Sequence, residues 1–197
     1  MITKKIIACI GDSITFGAGV EYTREKDAWP FVLGRLMPDG TEVLNFGLNG
    51  ATMQDAGDFP YCAQPVCKEA LDSGADTFLL MLGTNDTKYH NWNAERYMHD
   101  YRTFADRILA LPSTKKLVLM IPPKVFSPAN GYSGISNPLL HDVIRPWLIG
   151  LGAEKGLGVF DAYRLTESHP EYFDDLLHPN IQGNFVIAEA LSKSPLL

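Results

Sequence analysis

Five short, mostly apolar runs punctuate the chain: Lys5 to Ile10, Glu42 to Phe46, Thr77 to Leu82, Leu117 to Ile121 and Leu157 to Phe160. Most are continuously apolar instead of alternating, which predicts strands covered on both faces, as in a parallel sheet. Between and after them lie longer segments with helical spacing: Trp29 to Met37, Ala63 to Asp72, Ala94 to Leu111, Pro138 to Glu154 and Gln182 to Leu191. The clearest is Ala94 to Leu111, where Tyr97, Tyr101, Phe104, Ile108 and Leu111 share one stripe while Glu95, Arg102 and Asp106 fall off it. Strands alternating with helices predict βα units and an α/β fold. The one long irregular stretch, Pro122 to Gly134, follows the fourth strand directly and is rich in Pro, Gly, Ser and Asn.

Composition narrows this picture. A length of 197 residues is close to the ~150 of a typical domain, so one domain over residues 1–197 is expected. With 46% hydrophobic and 20% charged residues the chain lies outside the disordered range. Seventeen basic against twenty-three acidic side chains give a net charge of −6, which lacks the positive field that phosphate backbones attract, so nucleic acid is not an expected partner. The longest apolar runs, such as Ile6 to Ile10 and Phe78 to Leu82, have five residues, against the ~20 that cross a bilayer. No membrane span is expected. The run after Lys4 and Lys5 is also too short for a signal peptide, so a cytoplasmic location is the expectation, although a secreted chain stripped of its signal would read the same. Cys9, Cys62 and Cys67 are odd in number and have no histidine close in sequence, which predicts neither a disulfide framework nor a metal site.

In open α/β sheets ligands bind beyond the carboxyl ends of the strands. Four of these ends carry chemistry. After the first strand comes Gly11-Asp12-Ser13-Ile14-Thr15-Phe16-Gly17; after the second, Asn45-Phe46-Gly47-Leu48-Asn49-Gly50-Ala51-Thr52; after the third, Gly83-Thr84-Asn85-Asp86; and after the fifth, Asp174-Asp175-Leu176-Leu177-His178-Pro179-Asn180. A serine hydroxyl becomes a nucleophile when an imidazole takes its proton and a carboxylate orients that imidazole. Ser13, His178 and Asp175 supply such a set, and the three-residue step from Asp175 to His178 lets the pair meet within one turn. The backbone amides of Ser13 and Gly50 and the Asn85 side chain are candidate oxyanion donors.

These four segments resemble, in order, the blocks of the SGNH, or GDSL-like, hydrolase family of esterases and lipases. Gly11-Asp12-Ser13 with Gly17 is similar to its first block, Gly50 to its second, Gly83, Asn85 and Asp86 to its third, and Asp175 with His178 to its last. The resemblance implies a three-layer α/β/α, flavodoxin-like fold with a five-stranded parallel sheet, and a hydrolase that needs neither metal nor cofactor. It also favours Asp175 over Asp174 as the orienting acid. Asp86, Lys88, Asn91 and Trp92 further resemble the branch of the family that removes acetyl groups from sugars.

Around this set, Asp12 and Asp86 read as residues that hold the loops in shape, because a carboxylate would repel a developing oxyanion. His90 is a candidate pocket residue, Trp92 a candidate sugar platform, and Trp29 a core residue before it is a platform. The loop residues Thr87 to Trp92 and Ser127 to Tyr132 offer hydrogen bonds and ring faces more than contiguous methylenes. The expectation is therefore an esterase that forms an acyl-enzyme and acts on a small-molecule or oligosaccharide ester, above all an O-acetylated carbohydrate. Whether it works as a homo-oligomer stays open. The alternatives are a lysophospholipase or thioesterase of the same family and, outside catalysis, a flavodoxin-like binding module. Loops of the Gly-Lys-Ser/Thr and Gly-x-Gly-x-x-Gly kinds, which would point to nucleotides, do not occur.

Overall fold

The computed structural model describes residues 4–127 and 134–197. In chain order its principal elements are β1 (Lys5–Gly11), α1 (Ser13–Phe16), α2 (Arg24–Asp27), α3 (Trp29–Leu36), β2 (Thr41–Gly47), α4 (Pro65–Asp72), β3 (Thr77–Met81), α5 (Ala94–Leu109), β4 (Lys116–Ile121), α6 (Asn137–Leu139), α7 (Arg145–Lys155), β5 (Gly158–Asp161), α8 (Ala162–Thr166) and α9 (Ile181–Ser192). The strands form one parallel sheet in the order β2-β1-β3-β4-β5. Its register places Ile7 between Val43 and Thr77.

Period-two geometry divides each buried strand between two cores. Ala8, Ile10, Phe78, Leu80, Leu117 and Leu119 face one way, where α4, α5 and α7 cover them with Ala70, Tyr101, Phe104 and Leu148. Ile7, Cys9, Leu79, Met81, Val118 and Met120 face the other way, under Trp29 and Leu33 of α3 and Ile187 and Leu191 of α9. The result is a three-layer α/β/α sandwich. Because β2 lies to one side of β1 and β3 to the other, the chain reverses its direction of travel across the sheet at β1. Loops leaving β1 and β3 therefore diverge and open a crevice at the strand ends.

The apolar pattern finds all five strands to within one residue at every end, but it misreads one helix. The stretch Pro138 to Glu154, expected as continuous, holds a wider π turn at Leu140–Ile144 between α6 and α7. Pro146 has no amide hydrogen to donate to the preceding turn, so the regular ladder cannot pass through it. The four-residue α1 is too short for a periodic pattern to reveal. It is capped by Asp12, whose side chain accepts the Ile14 amide at 2.9 Å. Asn45 of β2 ties α1 to the sheet through the Thr15 carbonyl at 2.9 Å.

Candidate active site

Ser13 begins α1 directly beyond β1, and its Oγ lies 2.9 Å from Nε2 of His178, 165 positions later in the chain. The other ring nitrogen, Nδ1, lies 2.6 Å from Asp175 Oδ2. Asp175 Oδ1 also accepts the backbone amides of Leu177 at 2.9 Å and His178 at 2.7 Å. Burial pushes the Asp175 carboxyl up, but these amides and the imidazole outweigh it and hold the group below the usual carboxylate range. An ionised Asp175 accepts a hydrogen on Nδ1, which leaves Nε2 free to accept the Ser13 proton. Asp174 points elsewhere and accepts Asn180 Nδ2 at 2.8 Å.

The turn that permits this is strained. Leu176 sits at φ 66°, in the left-handed region that a branched side chain rarely adopts. Its carbonyl accepts two consecutive amides, from Phe126 at 2.9 Å and Ser127 at 3.0 Å, and these bonds hold the turn against the strain. Behind His178 the backbone is fixed from two sides. A side-chain carbon at Gly19 would fall 2.3 Å from the Pro179 carbonyl oxygen, so only glycine allows this approach. The buried Asn184 of α9 donates to the same carbonyl at 2.6 Å and accepts the Trp29 amide at 2.9 Å.

The candidate oxyanion donors come from three loops. No acceptor within the described residues engages the backbone amide of Ser13 or Gly50. Gly50 lies at φ 78°, a conformation that turns its amide in a way other residues resist. Asn85 is buried and spends one Nδ2 hydrogen on the Ala51 carbonyl at 3.2 Å, leaving the other for a ligand. Asp86, wholly enclosed, accepts the Met53 amide at 2.9 Å and the Gln54 amide at 2.8 Å. Burial pushes its carboxyl up to about 6, with the two amides and the Gln54 side chain pulling the other way. Asp12 is likewise pushed up to about 6 by burial, against the pull of the Ile14 amide. Neither carboxylate faces the cleft as a donor or acceptor for a ligand.

Ser13, Gly50, Asn85, Asp175 and His178 all line one open cleft of about 910 Å³. Glu21, Asn49, Lys88 and Ser127 give it a polar wall, and Ile135 and Leu177 an apolar one. Two residues singled out from the sequence do not join it. Trp92 packs toward the core, 5.9 Å from the Tyr97 ring, because its position at the entry to α5 turns it inward. His90 is exposed and its Nε2 lies 3.0 Å from Asp58 Oδ2. Trp29 is fully buried. Residues 128–133 of the loop after β4, expected to line the cleft, lie outside the described residues.

Sequence reasoning passed over Gln54, Asp58, Gly19 and Asn184, whereas Ser127, the first residue of the loop expected to line the cleft, does line it. The one visible signal was Asn184, a polar residue on the stripe of α9 that otherwise buries Ile187, Ala188 and Leu191. Among the described residues no group of histidines, cysteines and carboxylates has the arrangement of a metal site, and no helix is long and apolar enough to cross a membrane.

A family model described as GDSL-like lipase/acylhydrolase matches residues 9–184. The chain is 30% identical to an acetylxylan esterase of Xylanibacter ruminicola, an alignment that covers 94% of this chain and 42% of that protein. It thus spans less than half the length of that relative. Its fold is shared with the aryl esterase of M. smegmatis, at a TM-score of 0.78 and 21% identity over 98% of this chain and 100% of that one. It is also shared with a carbohydrate acetylesterase family member from Sinorhizobium meliloti, at 0.74 and 21% over 95% of each chain.

Proposed function

The chain belongs to the GDSL-like lipase/acylhydrolase family, enzymes of ester hydrolysis, and from that premise we propose that it is a serine esterase that removes O-acetyl groups from carbohydrates through an acyl-enzyme. The observation that carries the reading is the unbroken chain from Ser13 Oγ to His178 Nε2 at 2.9 Å and from His178 Nδ1 to Asp175 at 2.6 Å.

In the proposed reaction Ser13 Oγ attacks the ester carbonyl carbon while its proton passes to His178 Nε2. The carbonyl electrons move onto oxygen, where the amides of Ser13 and Gly50 and the free Asn85 hydrogen receive them. Asp175 stabilises the imidazolium without taking its proton. Collapse of the tetrahedral species breaks the bond to the alcohol, which leaves with the proton from Nε2. Water then repeats the sequence on the acyl-serine and releases the acid.

Two features support a short acyl group on a hydroxyl-rich alcohol. The cleft is open and bordered by Glu21, Asn49, Lys88 and Ser127, which offer hydrogen bonds to hydroxyls. Among the described residues its apolar lining is limited to Ala18, Ile135 and Leu177. Each buried methylene is worth ~0.8 kcal/mol, so an enzyme built for long chains improves steeply with length. The test is a series of aryl esters of increasing acyl length, followed by acetate release from acetylated oligosaccharides. Efficiency should be greatest at acetyl and decline beyond butyryl. A preference for octanoyl esters would instead support the lysophospholipase or thioesterase reading.

A further inference from the structure

We infer that Asn91 is a positioning residue that fixes the loops of two oxyanion donors relative to each other, an inference that rests on the reading of Gly50 and Asn85 just given. Its side chain is buried, and every hydrogen bond it makes joins the same two segments. Nδ2 donates to the Asn85 carbonyl at 3.0 Å and to Asp58 Oδ1 at 2.8 Å, while Oδ1 accepts the Asp58 amide at 2.9 Å. One planar carboxamide therefore joins the backbone of the residue that offers one donor to the stretch that follows Gly50, which offers another.

Both ends of this tie are themselves anchored. Asp58 Oδ2 also faces Lys88 Nζ at 3.4 Å and His90 Nε2 at 3.0 Å. Gln54, whose amide is held by Asp86, donates its Nε2 to the Asn91 carbonyl at 2.9 Å. The bracing thus runs from Asp86 through Gln54 and Asn91 to Asp58 and returns to Asn85. None of these groups touches the reacting atoms. Oxyanion donors act only when they are already aimed at the charge that develops, so a shift of either loop costs turnover more than it costs substrate binding.

The test measures kcat and KM on a short-chain acetyl ester for Asn91→Ala and Asn91→Asp, below their melting temperatures. The aspartate variant keeps the volume and the acceptor for the Asp58 amide, but opposes an acceptor to both the Asn85 carbonyl and the Asp58 carboxylate. It keeps the test decisive where the alanine variant fails to fold. Both should lower kcat by about 10- to 100-fold with KM changed less than about threefold. In an Asn85→Ala background the same changes should cost clearly less than they do alone, because one of the two donors they align is gone. Losses that multiply in the double variants, a rise in KM alone, or wild-type kcat with only a lower melting temperature would each overturn the inference. Ser13→Ala measured alongside separates the two levels. Activity retained there overturns the reading of the site and this inference with it, whereas an inactive Ser13→Ala beside unaffected Asn91 variants overturns the inference alone.

Discussion

Asp86, enclosed in the loop after β3, and Asp175, in the turn before α9, both accept two backbone amides, yet they work in opposite surroundings. Asp86 is fully buried, and burial drives its carboxyl up to about 6. The Asp175 side chain remains 54% exposed, and its bonds hold it below the usual range. Asp86 binds amides 32 and 33 positions away and so welds two loops, whereas Asp175 binds only within its own turn. The contrast separates two tasks. On the proposed reading, the oxyanion side is built for rigidity through long-range bonds in a region that excludes water, and the base side is a short, strained turn that needs an ionised carboxylate at the cleft surface.

If that division holds, altering the two sides should have different signatures. The largest effect is expected for Asp175→Asn, which removes the acceptor that fixes the His178 tautomer and should lower kcat by roughly 10³- to 10⁴-fold. Its melting temperature should barely move, since the lost contacts are exposed and local; a large fall in melting temperature would contradict the contrast. Asp86→Ala should do both kinds of damage. It leaves the Met53 and Gln54 amides without an acceptor, for a loss of roughly 1–3 kcal/mol of stability, and lowers kcat as the loops shift. Denaturant unfolding with parallel kinetics would show it. Asn85→Ala should lower kcat by about 10²- to 10³-fold with little change in KM.

A smaller effect concerns pH. Burial lifts the carboxyls of Asp86 and Asp12 to about 6 in the folded state, above the ordinary carboxylate value of 3.8. As pH falls through 6 toward 4 the folded state takes up their protons before the unfolded state does, so their contribution to stability rises. Asp58 and Asp175 are held low, Asp58 because bonds from His90, Asn91 and Lys88 outweigh its burial, and their stabilisation is lost only below about 4. Between pH 7 and 5 these four groups should leave the melting temperature level or higher. Activity should decline over the same interval, because a protonated Asp86 holds the two amides less firmly. Calorimetry and kcat measured on the same samples would show this; a melting temperature falling in step with kcat would contradict it. The smallest effect is Leu176→Gly, which relieves a left-handed φ of 66°. The relief, on the order of 1 kcal/mol, is offset by the greater freedom of glycine in the unfolded chain, so stability should change by less than about 1 kcal/mol.

The same contrast explains what was legible in the sequence. The strands were legible because both faces are covered, which makes their residues continuously apolar. The base turn was legible because Asp175 and His178 meet within three positions, so spacing alone encodes their geometry. The bracing of the oxyanion side was not. Gln54 and Asp58 are polar residues in loops, a pattern that reads as solvated surface, Asn91 stands out only through the family resemblance, and the bonds that join Gln54 to Asp86 and to Asn91, and Asp58 to Asn91, span more than thirty positions. Trp92 and His90 show the converse: an aromatic and an imidazole beside a site motif read as pocket residues, but the path of the chain into α5 sends one to the core and the other to solvent.

The most direct test of the account is to treat the protein with a serine-directed fluorophosphonate and map the adduct by peptide mass spectrometry. The account predicts one adduct, on the peptide containing Ser13, formed in step with loss of esterase activity and absent from Ser13→Ala. An adduct on another residue, or full inactivation without modification of Ser13, would contradict it.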